Sequence, residues 1–454
     1  MSAEPQTIAT LARALQSREV TSTALVEQCL ARIAERGTDI NAFITVLADE
    51  ARDAAGAADR EIASGRYRGP LHGVPISIKD LFDVRGTTTT AASRVRQNHR
   101  AAADAVTVAR LRDGGAILIG KTNLHEFALG TTNEDSAFGP VRHPLDANRT
   151  PGGSSGGSAA SVLAGMAYAS LGTDTGGSIR IPAAFCGLVG LKPSFGDVTT
   201  AGAVPLSPTL DHVGPICRSV GDARLVYEVL RGPAGATERP AHADSIKGLR
   251  VGVLRDYFTA VLDSQVASAF EAACARLRDA GAVLEDVSIP HAGDIAPVYL
   301  HIALSEAATF HAKTLENRGD DYTPNVRLRL EMGRSILAED YVRAMRGREV
   351  LRTEVDAALA GRTTLLLPSV PVPATRLGSA TVRVGGSDEP VRNVTLRLTQ
   401  LFNITGHPAV TVPCGTTVEG LPIGAQLIGP AGDTAGLLDT AAALERYLGP
   451  GVSL

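Results

Sequence analysis

The stretch Pro151-Gly-Gly-Ser154-Ser-Gly-Gly-Ser158-Ala-Ala-Ser-Val-Leu-Ala-Gly165-Met-Ala-Tyr-Ala-Ser-Leu-Gly172-Thr-Asp-Thr-Gly176-Gly-Ser178-Ile-Arg180 decides how this chain is read. A Gly/Ser-rich loop, 151–158, leads into a helix of small residues, 159–165. A strand at 167–172 then runs into a second glycine turn, 173–178. Glycine permits backbone conformations closed to other residues and lets a ligand approach the main chain. N–H groups clustered in such turns cradle an anion or a developing oxyanion. Two such turns, each carrying a serine, flank one helix and one strand.

The same alternation continues in both directions. Upstream, 7–18 and 21–36 carry apolar residues at helical spacing behind Thr caps, and 48–64 reads as an Ala-rich helix. The run Val74-Pro75-Ile76-Ser77-Ile78 reads as a buried strand ending at Lys79-Asp80, followed by a helix at 104–113 and a strand at 116–119. Downstream, strands are expected at 249–254, 283–287, 364–367 and 409–413, with helices at 266–280 and 434–447. Residues 297–360 read as mostly helical and richer in charge, a wall or lid for a pocket. The pattern predicts an α/β protein with one large sheet covered by helices. No internal repeat or low-complexity linker divides it.

Composition narrows the function. The chain has 454 residues, 44% of them hydrophobic, enough for a large core. Its net charge is −4, aromatics make up 4%, and there is no Trp, so neither a basic patch nor a stacking platform for nucleic acid is expected. The five cysteines are scattered, without C-x-x-C or zinc spacing, and read as buried thiols in a reducing compartment. The N-terminus lacks a signal-peptide pattern, and no apolar run approaches ~20 residues. The expectation is a soluble, cytoplasmic protein.

Residues 152–158 do not read as a flexible linker, because strand and helix signals abut them. Nor do they read as a phosphate loop, since the Gly-Lys-Ser/Thr ending is absent. An active-site turn remains. His125-Glu126 lacks the second histidine of H-E-x-x-H, so no metal is expected. Asp211-His212 reads as packing rather than pocket lining.

The motifs resemble those of the amidase signature family. The resemblance rests on Gly73-Val-Pro-Ile-Ser-Ile-Lys79-Asp-Leu-Phe82, on Gly152-Gly-Ser154-Ser-Gly-Gly-Ser-Ala-Ala160 and on Leu171 through Ser178 to Cys186 and Pro193. It resumes at Phe402-Asn-Ile-Thr-Gly-His-Pro-Ala409 and Gly420-Leu-Pro-Ile-Gly-Ala-Gln-Leu-Ile-Gly429. It implies a single domain over 1–454, with a central mixed β-sheet flanked by helices on both faces. Core motifs would lie in 71–215 and 402–429, and a variable substrate-pocket region at about 296–360. It also implies a Ser–cisSer–Lys triad: Ser178 as nucleophile, Ser154 after a cis peptide bond as relay, and Lys79 as base. Thr175, Gly176, Gly177 and Ser178 would supply oxyanion N–H groups, and a loop containing Ala128 and Gly130 would cover the acyl site. Asp174 and Arg180 look like braces for the nucleophile turn. No metal or other cofactor is implied.

The residue chemistry agrees. A serine hydroxyl needs a base, and no histidine sits in a Gly-x-Ser-x-Gly elbow. Lysine serves only when neutral; at its ordinary pKa of about 10.4, roughly one molecule in 2,500 is neutral at pH 7. Lys79 follows an apolar strand, and desolvation lowers a lysine pKa. Asp80 would oppose this, but neighbours on a strand point to opposite faces. A hydroxyl such as Ser154 accepts one proton while donating another.

The expected function is hydrolysis of small amides by a monomer or homodimer. The absence of a charged anchor in the motif loops points to apolar or aryl amides, with carbamates (urethanes) and esters as further candidates. The family also includes the glutaminase component of glutamyl-tRNA amidotransferase. There an acidic residue precedes Asn-Leu-Ala-Gly and helps hold glutamine's amino group. Here 394–402 contains no acid, the segment reads Asn403-Ile-Thr-Gly, and Phe195 replaces a Tyr. A catalytically silent scaffold is the remaining alternative.

Overall fold

The run before Lys79 does form a buried strand, and its neighbours build one sheet around it. A computed structural model describes residues 7–232 and 245–449. Its strands are β1 (Phe43–Val46), β2 (Pro75–Lys79), β3 (Ile117–Thr122), β4 (Ala169–Asp174), β5 (Val189–Lys192), β6 (His212–Cys217), β7 (Arg250–Leu254), β8 (Val283–Val287), β9 (Thr364–Pro368), β10 (Thr381–Val384), β11 (Ser387–Pro390), β12 (Ala409–Thr416) and β13 (Pro422–Ile428). Eleven of them join in the order β1-β3-β2-β4-β6-β5-β12-β13-β9-β7-β8, while β10 and β11 form a separate ribbon.

The helices begin with α1 (Ile8–Ser17), α2 (Ser22–Ile40), α3 (Ala48–Ala63), α4 (Val106–Asp113), α5 (Gly156–Leu163), α6 (Arg180–Phe185) and α7 (Val220–Arg231). They continue with α8 (Ser264–Asp279), α9 (Ile295–Arg318), α10 (Pro324–Arg334), α11 (Ala338–Leu359), α12 (Val391–Leu396), α13 (Gln400–Ile404) and α14 (Thr434–Leu448). The side chains of Thr7 and Thr21 cap α1 and α2, accepting from the amides of Thr10 and Ala24.

The sheet is mixed. β2 runs parallel to β3 and β4, whereas β4 runs antiparallel to β6, and β12 to β5 and β13. Both faces are covered, as strand alternation requires. On β9, Leu366 joins a core with α8 and α14, while Leu365 and Leu367 face a second core built on α9 and α11. Lys79 ends β2 and Asp174 ends the parallel neighbour β4, so both residues emerge at the carboxyl edge, where α/β sheets place ligands.

Two expectations need correction. The helix after the first glycine turn starts at Gly156 rather than Ala159, because Asn133 Oδ1 accepts from the Gly156 amide at 3.0 Å. Residues 43–46, to which the sequence pattern assigns no element, form an edge strand antiparallel to β3.

Candidate active site

Lys79 is fully buried. Its Nζ donates to Ser154 Oγ at 2.8 Å and to Thr173 Oγ1 at 2.7 Å, and it forms no ion pair among the described residues. Burial pushes its pKa down to about 7, against the pull of Asp174 and Asp211. Asp80 points to the other face and pairs with Lys121 Nζ at 2.5 Å. Strand alternation thus separates the amine from the carboxylate beside it in sequence.

Ser154 sits at the mouth of the first glycine turn, after a cis Gly153–Ser154 peptide. The turn is pressed against the chain at 131–133: a Cβ on Gly153 would lie 2.9–3.0 Å from that backbone. Farther along, a Cβ on Gly157 would lie 2.3 Å from the Asn123 carbonyl oxygen. Only glycine lets α5 approach the end of β3 this closely.

The second turn is braced from within. Arg180 and Asp174, both fully buried, meet side-on: Nε donates to Oδ2 and Nη2 to Oδ1, each at 3.0 Å. Asn403 Nδ2 donates to Asp174 Oδ1 at 2.8 Å, and Arg180 Nη1 reaches Gln426 Oε1 at 3.1 Å. Burial alone would raise the Asp174 carboxyl, but Arg180 and Asn403 hold it well below the usual carboxylate range. The brace expected of Asp174 and Arg180 is present, and it draws in two residues from distant motifs.

That brace corrects one expectation. The Gly177 amide donates to Asp174 Oδ1 at 2.8 Å, so its N–H serves the turn rather than an oxyanion. The amides of Thr175, Gly176 and Ser178 donate to no protein acceptor among the described residues. The Thr175 side chain donates to Asp211 Oδ1 at 2.6 Å, and burial raises Asp211 to about 6.

Ser178 lies beside Ser154 through the backbone, since its carbonyl accepts from the Ser155 amide at 3.2 Å. Its hydroxyl makes no hydrogen bond to Ser154 among the described residues. The structure therefore closes the Lys79–Ser154 contact and leaves the Ser154–Ser178 contact open.

The covering loop divides. Phe127 and Ala128 adopt left-handed conformations, φ 50° and 60°. Ala128 lines a narrow cavity of about 50 Å³ with Leu81, Thr173, Thr175, Leu206 and Asp211. Asp211 thus lines the pocket, contrary to its reading as packing. Gly130 instead lies against the His125 ring, where a Cβ would stand 2.1 Å from Cε1. His125 in turn approaches Asp135 at 3.2 Å.

Three contacts are invisible in the sequence pattern. Thr173 shares the Lys79 amine. Thr399 Oγ1 donates to the Gly176 carbonyl at 2.5 Å. Tyr299, on α9, lies over Gly176, where a Cβ would be 2.5 Å from its Oη. Thr173 was within reach, as it stands in the quoted motif. Tyr299 and Thr399 lie far along the chain with no local pattern to mark them. Among the described residues no group of three or more His, Cys, Asp or Glu side chains is arranged to hold a metal ion, and no helix is long and apolar enough to cross a membrane.

The "Amidase" family model matches residues 24–438. Over 473 residues the chain is 41% identical to the GatA-type component of the glutamyl-tRNA(Gln) amidotransferase of Anaeromyxobacter dehalogenans (strain 2CP-C), covering 96% of this chain and 94% of that protein. It is also 41% identical over 427 residues to an amidase of Pseudomonas putida, covering 91% and 90%. A crystal structure of an amidase superposes with a TM-score of 0.92 at 39% identity, over 98% of this chain and 100% of that one. The chain belongs to the amidase family and is an amide hydrolase.

Proposed function

We propose that Ser178 attacks the amide carbonyl as a nucleophile, with Lys79 as the base and Ser154 as the relay between them. The observation that carries this reading is the buried Lys79 amine, free of any carboxylate and bonded to Ser154 Oγ. Ser178 Oγ turns onto Ser154 as the carbonyl docks; catalytic contacts commonly tighten only with substrate bound. Its proton passes to Ser154 while Ser154 passes its own to Lys79 Nζ. The free amides of Gly176 and Ser178, with that of Thr175, receive the oxyanion. Lys79 then returns the proton through Ser154 to the leaving nitrogen as the C–N bond breaks. Water hydrolyses the acyl-enzyme by the same route.

On this reading 71–215 and 402–429 carry the chemistry, and about 296–360 supplies the substrate wall. The Leu81, Val204 and Leu206 side chains of the cavity suit an apolar or aryl group on an amide, carbamate or ester. The enzyme acts alone, as a monomer or homodimer, in the cytoplasm. A serine-directed fluorophosphonate tests the nucleophile: it labels the intact protein and fails to label Ser178→Ala. Equal labelling of both overturns the assignment.

A second reading, the glutaminase component of an amidotransferase, draws support from the 41% identity to such a protein. The absence of any acid in 394–402 to hold glutamine's ammonium weighs against it. Glutamine hydrolysis that appears only with partner proteins and tRNA would favour it.

A further inference from the structure

The wall opposite Lys79 carries positive charge without a partner. Tyr299, almost fully buried, covers Gly176 in the turn that ends at Ser178. Arg329, on α10, donates Nη1 to the Leu129 carbonyl at 2.7 Å. Arg392 lies on α12, one turn before Thr395, whose hydroxyl donates to Thr131 Oγ1 at 3.0 Å. The two arginines are therefore fastened to successive parts of the loop that lines the acyl cavity at Ala128. Each feels the other's charge, and both act on the Tyr299 hydroxyl and on His125.

Neither arginine forms an ion pair among the described residues. The Arg392 side chain makes no hydrogen bond there, and its Nε is buried without a partner. The nearest acid in charge terms, Asp135, already accepts from Asn325 through both oxygens at 3.2 Å and faces His125. Two fully buried cations nearby are treated differently: Arg180 has Asp174 and Lys121 has Asp80. Two desolvated guanidiniums side by side repel each other, and a planar carboxylate between them relieves the repulsion through forked hydrogen bonds. Residues 391–403 hold no acid, so an ammonium on the ligand would find no partner there.

We propose that Arg392, with Arg329 and the Tyr299 hydroxyl, binds a carboxylate on the substrate, so that the preferred substrates are anionic amides lacking an adjacent ammonium, such as half-amides of dicarboxylic acids. The anchor lies outside the motif loops, which is why those loops look uncharged. This inference rests on the reading of Ser178 as the point of acylation.

The test compares ammonia release from succinamate and glutaramate, from their methyl esters, and from glutamine, which is glutaramate bearing an α-ammonium. The wild type is expected to favour each free acid over its ester, and glutaramate over glutamine, by at least 30-fold in kcat/KM. In Arg392→Ala the acid-over-ester preference falls below 3-fold, through KM, and Arg392→Lys restores part of it. In parallel, succinate and glutarate slow fluorophosphonate labelling of Ser178 in the wild type and not in Arg392→Ala. A wild type that labels normally, shows no acid preference and gains no protection from either diacid overturns the carboxylate site and leaves the Ser178 reading intact. Absence of labelling in the wild type removes the Ser178 reading, and the carboxylate site with it.

Discussion

Lys79 sets opposing demands on activity and stability, and both are measurable. Its depression from 10.5 to about 7 corresponds to about 5 kcal/mol of destabilised ammonium. For catalysis, activity rises as pH climbs through 7 and levels off above about pH 8, read as kcat/KM on any turned-over amide; a flat profile from pH 6 to 9 contradicts the assigned base. For stability, the unfolded chain binds a proton that the folded chain has released between pH 7 and 10.5, so folding strengthens as pH rises across that window. Lys79→Met removes this dependence. The variant is expected to lose turnover by at least a thousandfold and yet to unfold at higher urea than the wild type at pH 7. Part of the gain is offset by the hydroxyls of Ser154 and Thr173, which lose their partner. The stability difference then shrinks by about 1.4 kcal/mol per pH unit toward pH 10. A constant difference would mean that the amine is not the titrating group.

At the scale of the element, α5 depends on contacts that only glycine allows. Gly157→Ala would drive a methyl to 2.3 Å from the Asn123 carbonyl oxygen and 2.6 Å from that of Ala42, both rigid backbone. It is expected to destabilise the fold by about 3 kcal/mol, the upper part of the usual range for overpacking. Urea unfolding would read the loss, whereas a neutral effect would mean that α5 can slide off β3. Most elements were legible because their apolar periodicity is local: β8 falls at the expected 283–287, and α3 ends within one residue of its expected bound. The start of α5 was not legible, because its cap comes from Asn133, 23 residues upstream. The edge strand β1 carries no strong alternation and owes its conformation to β3. The brace at Asp174 and Arg180 could be read from their placement around Ser178. The capture of the Gly177 amide could not, since it depends on which carboxylate oxygen faces the turn.

At the scale of the molecule, all five cysteines are free and buried. Burial raises Cys29 and Cys414 to about 12 and Cys274 to about 11, so none of these is a thiolate at neutral pH. Ellman's reagent is expected to find no reactive thiol in the native protein and all five in denaturant; a thiol that reacts within seconds under native conditions contradicts this packing. Sequence carried the global outline and the Lys79–Ser154–Ser178 set because these lie in contiguous motifs. It missed the charged wall because Tyr299, Arg329 and Arg392 come from three helices and meet only after folding. The wall also has its own foundation. Ile76 and Ile78, which sink Lys79 into the interior, belong to the first core, whereas Tyr299 is rooted in the second. Selection for a new amide can therefore rework the side that discriminates while the proton-handling side keeps its burial. Such a division lets a lineage change its diet without relearning its chemistry.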